Sequence, residues 1–193
     1  MLNAPIAVHE TQRVFRAMLN ALASPGQSFP VEASCQSPTG LESGMAAAAL
    51  MLFDSETTVW LAECAPPSVR AWLLADAACR LTSDPGRTQF ALVTDVRHMP
   101  ALSQFCGGSA ECPEASATLL VQLDALHGGD GVILSGPGID GASVIRPRLR
   151  KPRFWSEWNA NHRRYPLGVD CFFFAEGHVV GLPRTTSVRV ATR

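Results

Sequence analysis

The sequence predicts an α/β protein with a mixed, partly parallel sheet flanked by helices, in one domain spanning residues 1–193. Three observations carry that prediction. Apolar segments of strand length alternate with segments of helix length through the first half, the pattern of parallel strands joined by helical crossovers. Short turn-rich gaps near 127–131 and 176–178 have hairpin spacing and add antiparallel pairs. A chain of 193 residues, 47% of them hydrophobic, is also long and apolar enough for one sizeable core.

Residues 8–23 form the first expected helix. Val14, Phe15, Met18, Leu19 and Leu22 recur at helical spacing, and Glu10, Gln12, Arg13 and Arg16 take the other side. Ser24-Pro25-Gly26 stops it, and Ser28–Glu32 reads as a short strand. A polar loop through Pro38 leads to a second helix, Leu41–Phe53. Gly44 and Ala46 to Ala49 give it a small-residue surface for close packing against a sheet or another subunit. Asp54-Ser55-Glu56 then turns the chain into an apolar strand, Thr57–Ala62. Asp54 and Glu56 read as turn-capping carboxylates rather than an acid/base pair. Pro66-Pro67 opens a third helix, Ser68–Cys79, with Val69, Trp72 and Leu73 as its apolar face. Asp84-Pro85-Gly86 is a turn, Gln89–Thr94 a buried strand closed by Asp95, and Met99–Phe105 a short helix. Ala117–Leu123 is a further strand.

The next stretch, Gly131 to Ile139, reads as a short buried strand entering a glycine-proline turn, Gly136-Pro137-Gly138. Bare backbone N–H groups behind a strand end are a common place for an anionic ligand in α/β proteins. Ser135, Gly136 and Gly138 are therefore candidate anion-binding residues. After Ile139, Arg146, Arg148, Arg150, Lys151 and Arg153 place five positive charges within eight residues. Lys151 reads as exposed there. A helix over 152–164 carries Phe154, Trp155 and Trp158 beside this basic run. Arg148, Arg150, Arg153, Trp155 and Trp158 are the candidate partner surface, since Trp and Arg are enriched at interface hot spots. Val169–Ala175, Val179–Leu182 and Val188–Val190 complete the strands. Between the last two, Leu182-Pro183-Arg184-Thr185-Thr186 offers a guanidinium and two hydroxyls to an anion. The competing reading pairs Arg184 with an internal carboxylate.

Composition excludes several classes of function. Net charge is -1, so no global basic field exists for nucleic acid or an anionic membrane. No apolar run reaches the ~18 residues of a membrane span, and the N-terminus has no signal-peptide pattern, so a cytoplasmic location is expected. The six cysteines form no C-x-x-C pair and lie at no zinc-finger spacing, which predicts mostly buried free thiols and no metal site. Fifteen of the sixteen basic residues are Arg. A Schiff base would have to use Lys151, where nothing desolvates the amine, so pyridoxal-phosphate chemistry is not expected. The five histidines are scattered, and Ser135 is not in a nucleophile elbow. No nucleophile, base and orienting group stand together in sequence, and the catalytic residues stay unassigned.

Several stretches in order resemble a known family. They are Phe15-Arg16-Ala17-Met18 with Ala23-Ser24-Pro25-Gly26, Phe53-Asp54-Ser55-Glu56-Thr57, and Gly108-Ser109 through Pro113-Glu114 to Ala117-Thr118. Leu134-Ser135-Gly136-Pro137-Gly138-Ile139, Tyr165-Pro166-Leu167-Gly168-Val169-Asp170 and Leu182-Pro183-Arg184-Thr185-Thr186 follow. Together they resemble the PhnH subunit of the bacterial carbon–phosphorus lyase system, which degrades phosphonates. Tyr165 stands where the family pattern has Phe, Ser109 where it has Thr, and Ala115-Ser116 replaces a glycine-containing pair. The resemblance implies a fold akin to the large domain of pyridoxal-phosphate-dependent transferases, without that cofactor. It implies a homodimer that joins the G, I and J subunits. With an ATP-binding-type partner, that assembly transfers a phosphonate to the ribose of ATP and releases adenine. In the family it resembles, the H subunit has no established active site of its own. The radical step belongs elsewhere, since this chain lacks the three-cysteine cluster of an iron–sulfur radical enzyme.

Two functions follow as expectations. The first is a subunit of phosphonate degradation with an assembly or anion-binding role. The second is a stand-alone transferase or hydrolase acting on a phosphorylated small molecule held by Ser135 to Gly138, Arg184 and Thr185.

Overall fold

Leu119, Leu120 and Val121 are successive residues of one strand and all are fully buried. Successive strand side chains point to opposite faces, so this strand must be covered on both. The computed structural model, which describes residues 8–31 and 33–191, has that layering. Helix α1 covers Val8–Ala23, α2 Ser43–Leu52, α3 Pro67–Ala75 and α4 Phe154–His162. The strands are β1 (Ser28–Pro30), β2 (Thr58–Leu61), β3 (Arg80–Thr82), β4 (Phe90–Val93), β5 (Thr118–Gln122), β6 (Val132–Ser135), β7 (Ser143–Ile145), β8 (Asp170–Ala175), β9 (His178–Leu182) and β10 (Ser187–Val190). Seven of them form a sheet in the order β1-β9-β8-β5-β4-β2-β3, in which β9 runs against the other six. The remaining three form a small antiparallel sheet, β10-β6-β7.

One face of the large sheet presents Val59, Leu61, Leu92, Leu120, Phe172 and Phe174 to residues of α1, α2 and α3. The other presents Trp60, Ala91, Val93, Leu119, Val121 and Phe173 to α4, the small sheet and the irregular segment 96–105. The small-residue surface of α2 is buried from Gly44 to Ala49. Glu42 caps that helix by accepting from Met45 N at 2.8 Å, and its other oxygen accepts from Gly177 N at 3.1 Å, tying α2 to the β8–β9 hairpin. Helix α1 presses so closely on β9 that a Cβ on Gly181 would lie 2.5 Å from the backbone of Ala21. Asp54 is a turn cap as expected, accepting from the backbone of Glu56 and Thr57 at 2.9 and 3.0 Å.

Most elements match the sequence expectations to within a few residues. The end of the expected strand Ser28–Glu32 lies, at Glu32, outside the described residues. The third helix stops at Ala75 rather than Cys79, because Ala78 adopts a positive φ of 52° and the chain then enters β3, an unexpected edge strand beside β2. The expected helix Met99–Phe105 shrinks to one 3-10 turn, Leu102–Gln104. Strand β7 was not expected either. The hairpin expected near 127–131 does not form. Both edges of β5 are taken by parallel neighbours, β4 and β8, so β6 cannot pair with it and joins the small sheet. The hairpin expected at 176–178 does form, between β8 and β9. Among the described residues no helix is long and apolar enough to cross a membrane. All six cysteines are free thiols, but only Cys79 and Cys171 are buried and Cys64 and Cys112 are exposed, which corrects the expectation of mostly buried thiols.

Candidate functional site

The pairing of β6 with β10 sets Ser135 opposite Ser187, with their hydroxyls 2.7 Å apart. The same pairing brings the Gly136-Pro137-Gly138 turn to the 183–187 loop. A Cβ on Gly136 would lie 2.8 Å from Thr185 O, and one on Gly138, whose φ is +81°, 2.2 Å from Ala23 O. The turn is thus a close-packed junction between the small sheet, the end of α1 and the loop before β10. Ser135, Gly136 and Gly138 are exposed, and Thr185 is half-buried beside them.

Arg184 turns elsewhere. Its Nε lies 3.2 and 3.1 Å from the two carboxylate oxygens of Asp170, and Nη2 lies 2.5 Å from Oδ2. Nη1 donates to the carbonyls of Pro113 and Pro166 at 3.0 and 3.2 Å, and Nη2 also donates to Ser116 Oγ. Asp170 Oδ1 further accepts from the Arg184 backbone N–H at 2.7 Å. Every nitrogen of the guanidinium donates within the protein, which is the internal-carboxylate arrangement.

The basic run divides. Arg148, Arg150 and Arg153 are exposed. Trp155 is half-buried. Trp158 is fully buried, packs 6.0 Å from Phe154 in the core and donates from Nε1 to Thr186 O at 2.9 Å. It therefore presents no partner surface, a correction that follows from helical geometry. Residues 154 and 158 share one face of α4, and that face is buried under the sheet. Lys151 is also corrected. Its side chain is only 13% exposed, and Nζ donates to Met99 O and Pro100 O at 2.8 and 2.7 Å while lying 3.5 Å from Glu157 Oε2.

The carboxyl ends of the parallel strands, where α/β proteins most often hold ligands, carry a different group of residues. Thr94, Asp95 and Arg97 follow β4, while Gln122 closes β5 and Asp124 follows it. With Arg148 and Arg150 laid across them, they line a pocket of ≈ 120 Å³. A larger pocket of ≈ 440 Å³ adjoins it, lined by Gly128, Gly129, Pro147, Leu149, Trp155 and others. Arg148 and Arg150 line both pockets and form their common wall. The Arg150 guanidinium lies 2.7 Å from Asp124 Oδ2, and Arg97 grips Asp95 through Nε and Nη2 at 3.0 and 2.5 Å. Hydrogen bonding from Arg97 pulls the Asp95 carboxyl down to about 2, and Asp95 in turn raises the pKa of Arg97, with a smaller upward contribution from Asp124. Arg148 takes part in none of the ion pairs found among the described residues.

Sequence reasoning placed Arg148 and Arg150 among the candidates but missed Asp95, Arg97, Gln122 and Asp124. The usable signal was positional, because Asp95 and Asp124 each stand just beyond an expected buried strand. Among the described residues no group of three or more His, Cys, Asp or Glu side chains could hold a metal ion.

A family model described as "Bacterial phosphonate metabolism protein (PhnH)" matches residues 5–189. The chain belongs to the PhnH family. It is 34% identical over 182 residues to "Alpha-D-ribose 1-methylphosphonate 5-triphosphate synthase subunit PhnH" of Rhizobium meliloti (strain 1021), covering 94% of this chain and 91% of the relative. It is 30% identical over 193 residues to the protein named "Putative C-P lyase subunit protein HtxG" of Stutzerimonas stutzeri, covering 93% of this chain and 86% of that one. The match of this PhnH-family member runs from α1 to β10, and so includes both the Ser135–Gly138 junction and the cleft at the strand ends.

Proposed function

We propose that this chain is the H subunit of a carbon–phosphorus lyase assembly in organic phosphonate catabolism, needed for the step that transfers phosphonate to the ribose of ATP. The family match over residues 5–189 carries this reading, together with a relative whose name specifies a subunit of that synthase. The proposed partners are the G, I and J subunits and a second copy of this chain, in the cytoplasm. Arg148, Arg150 and Arg153 are the proposed partner-facing cations. Support for a homodimer comes from an apolar groove along α1, where Phe15 and Leu19 are 50% and 51% exposed and Met51 and Phe90 line the floor.

Residues 1–193 are read as one domain with the architecture of a pyridoxal-phosphate-dependent transferase but no such cofactor. Support comes from the helix-flanked mixed sheet in which β9 is reversed, and from Lys151, whose amine is bound to two carbonyls and faces Glu157. An anion at the Ser135–Gly138 turn would meet backbone N–H groups and Thr185, and would gain Arg184 only if Asp170 released it.

Co-expression with the partner subunits and phosphonate growth of a deletion strain test the reading. The chain is expected to co-purify with them, and deletion to abolish growth on phosphonate as phosphorus source. Absence of co-purification with unimpaired growth overturns it. Turnover of ATP or a phosphonate by the isolated chain would instead support the stand-alone transferase or hydrolase.

A further inference from the structure

We propose that the double cleft at the carboxyl ends of β4 and β5 binds a phosphate- or phosphonate-bearing small molecule. Its anionic group occupies the smaller chamber against Arg148, Arg150 and Arg97, and its organic part lies in the larger chamber against Trp155. The ligand class rests on the phosphonate reading above, whereas the site rests on charge, volume and placement.

Arg97 is matched by Asp95 and Arg150 by Asp124, so these two pairs are neutral as units and Arg148 leaves the smaller chamber net positive. Both pairs are open to solvent, with the Arg97 and Arg150 side chains 59% and 64% exposed, so a ligand oxygen can compete for either guanidinium. Arg97 uses Nε and Nη2 on Asp95 and retains Nη1 for another acceptor. Asp95 stays ionised throughout the physiological range, because its carboxyl is held at about 2. The two carboxylates also repel an anion, which places its seat on the Arg148 side of the chamber. Lys151, on the rim of the larger chamber, is occupied by carbonyls and Glu157 and adds little.

The volumes agree. The smaller chamber, ≈ 120 Å³, is several times the roughly 10–15 Å³ that a cavity needs to hold one water, enough for a phosphoryl group. The larger, ≈ 440 Å³, falls inside the roughly 300–1,000 Å³ of small-molecule pockets. Its Trp155 indole, with Leu149 and Pro147, supplies the apolar wall that a planar or aliphatic group requires. Because Arg148 and Arg150 form the wall between the chambers, they would bridge the two halves of one ligand.

Calorimetry with ATP, inorganic tripolyphosphate and methylphosphonate tests the site, using both the isolated chain and the chain co-purified with its partners. At least one probe is expected to bind saturably, with affinity falling as salt rises. Arg148→Ala and Arg148→Gln should weaken it about tenfold or more, as expected for loss of a charge-assisted contact. Arg16→Ala, on the opposite face of the sheet, should leave it unchanged. Trp155→Ala should weaken ATP and spare tripolyphosphate. Methylphosphonate that binds and competes with ATP would identify the occupant as the phosphonate, and ATP and tripolyphosphate binding alone would identify a polyphosphate. Absence of binding to either preparation, or binding indifferent to both Arg148 variants, overturns the site. A chain that assembles and supports phosphonate growth without binding any probe overturns the site and leaves the subunit reading. Arg148-dependent binding by a chain that phosphonate growth does not need does the reverse.

Discussion

Arg184 and Asp170 meet through both carboxylate oxygens, Nε at 3.2 and 3.1 Å and Nη2 at 2.5 Å, with side chains 13% and 21% exposed. The pair joins the start of β8 to the loop after β9, and its remaining donors reach Ser116 and the carbonyls of Pro113 and Pro166. Arg184→Ala leaves a half-buried carboxylate, a hydroxyl and two carbonyls without that partner. A loss of about 2–4 kcal/mol in urea unfolding is expected. Arg184→Lys should recover only part of it, since a single ammonium cannot span these acceptors. A variant of unchanged stability with weakened anion affinity would instead assign Arg184 to a ligand.

Trp158 is held in the core by Phe154 and by the bond from its Nε1 to Thr186 O. Trp158→Ala should cost about 3–5 kcal/mol. Trp155→Ala should cost clearly less, because Trp155 is only half-buried. Chemical denaturation of the two variants separates the core residue from the cleft residue.

Gly138 and Gly181 admit no Cβ. Gly138→Ala meets both a φ of +81° and Ala23 O, and Gly181→Ala drives into the backbone of α1. Each is expected to lower stability by more than about 1 kcal/mol. Hydrogen exchange should localise the damage of Gly181→Ala to α1 and β9.

The Asp95–Arg97 pair gives a pH dependence of known sign. The carboxyl is about 2 in the fold and ~3.9 in an unfolded chain. Its contribution is therefore complete above ~3.9 and is lost as pH falls through about 2. Carboxyl NMR titration of Asp95 should show no change between pH 5 and 8, and Arg97→Ala should return its midpoint toward the ordinary value.

If the apolar groove on α1 seats a second copy, a charged Phe15→Asp, Leu19→Asp double variant should sediment as a monomer while the parent sediments as a dimer. Equal masses for the two would remove this face from the interface.

Much of this architecture could be read from periodicity. Val14 and Met18 lie on the buried face of α1 as their spacing predicts, although Phe15 and Leu19 from the same expected face are exposed and Glu10 from the expected polar side is buried, and the run from Cys171 to Ala175 is long enough to announce a strand covered on both sides. Arg80 to Thr82 and Ser143 to Ile145 gave no such signal, because a three-residue edge strand has too few buried positions to show alternation. The partner of β6 was hidden for another reason. Strand pairing depends on which edges are already filled, a property of the assembled sheet. Phe154, Trp155 and Trp158 illustrate a signal misread, since their spacing separates two core residues from one that lines the cleft. The cleft itself draws on three segments, around 95, 123 and 149, which only the sheet brings together.

Among the described residues strand β1 has one neighbour in the sheet, β9, and pairs Pro30 with His178. Roughly 150 residues of synthesis separate these partners, about 7–30 s at ribosomal speeds of about 5–20 residues per second. Throughout that interval the apolar face of α1 awaits β9, and from the synthesis of β5 onward the edge of that strand also awaits β8, so the nascent chain should depend on holdase chaperones until its last quarter emerges. Ribosome-stalled chains ending before β8 should therefore remain protease-sensitive along their whole length.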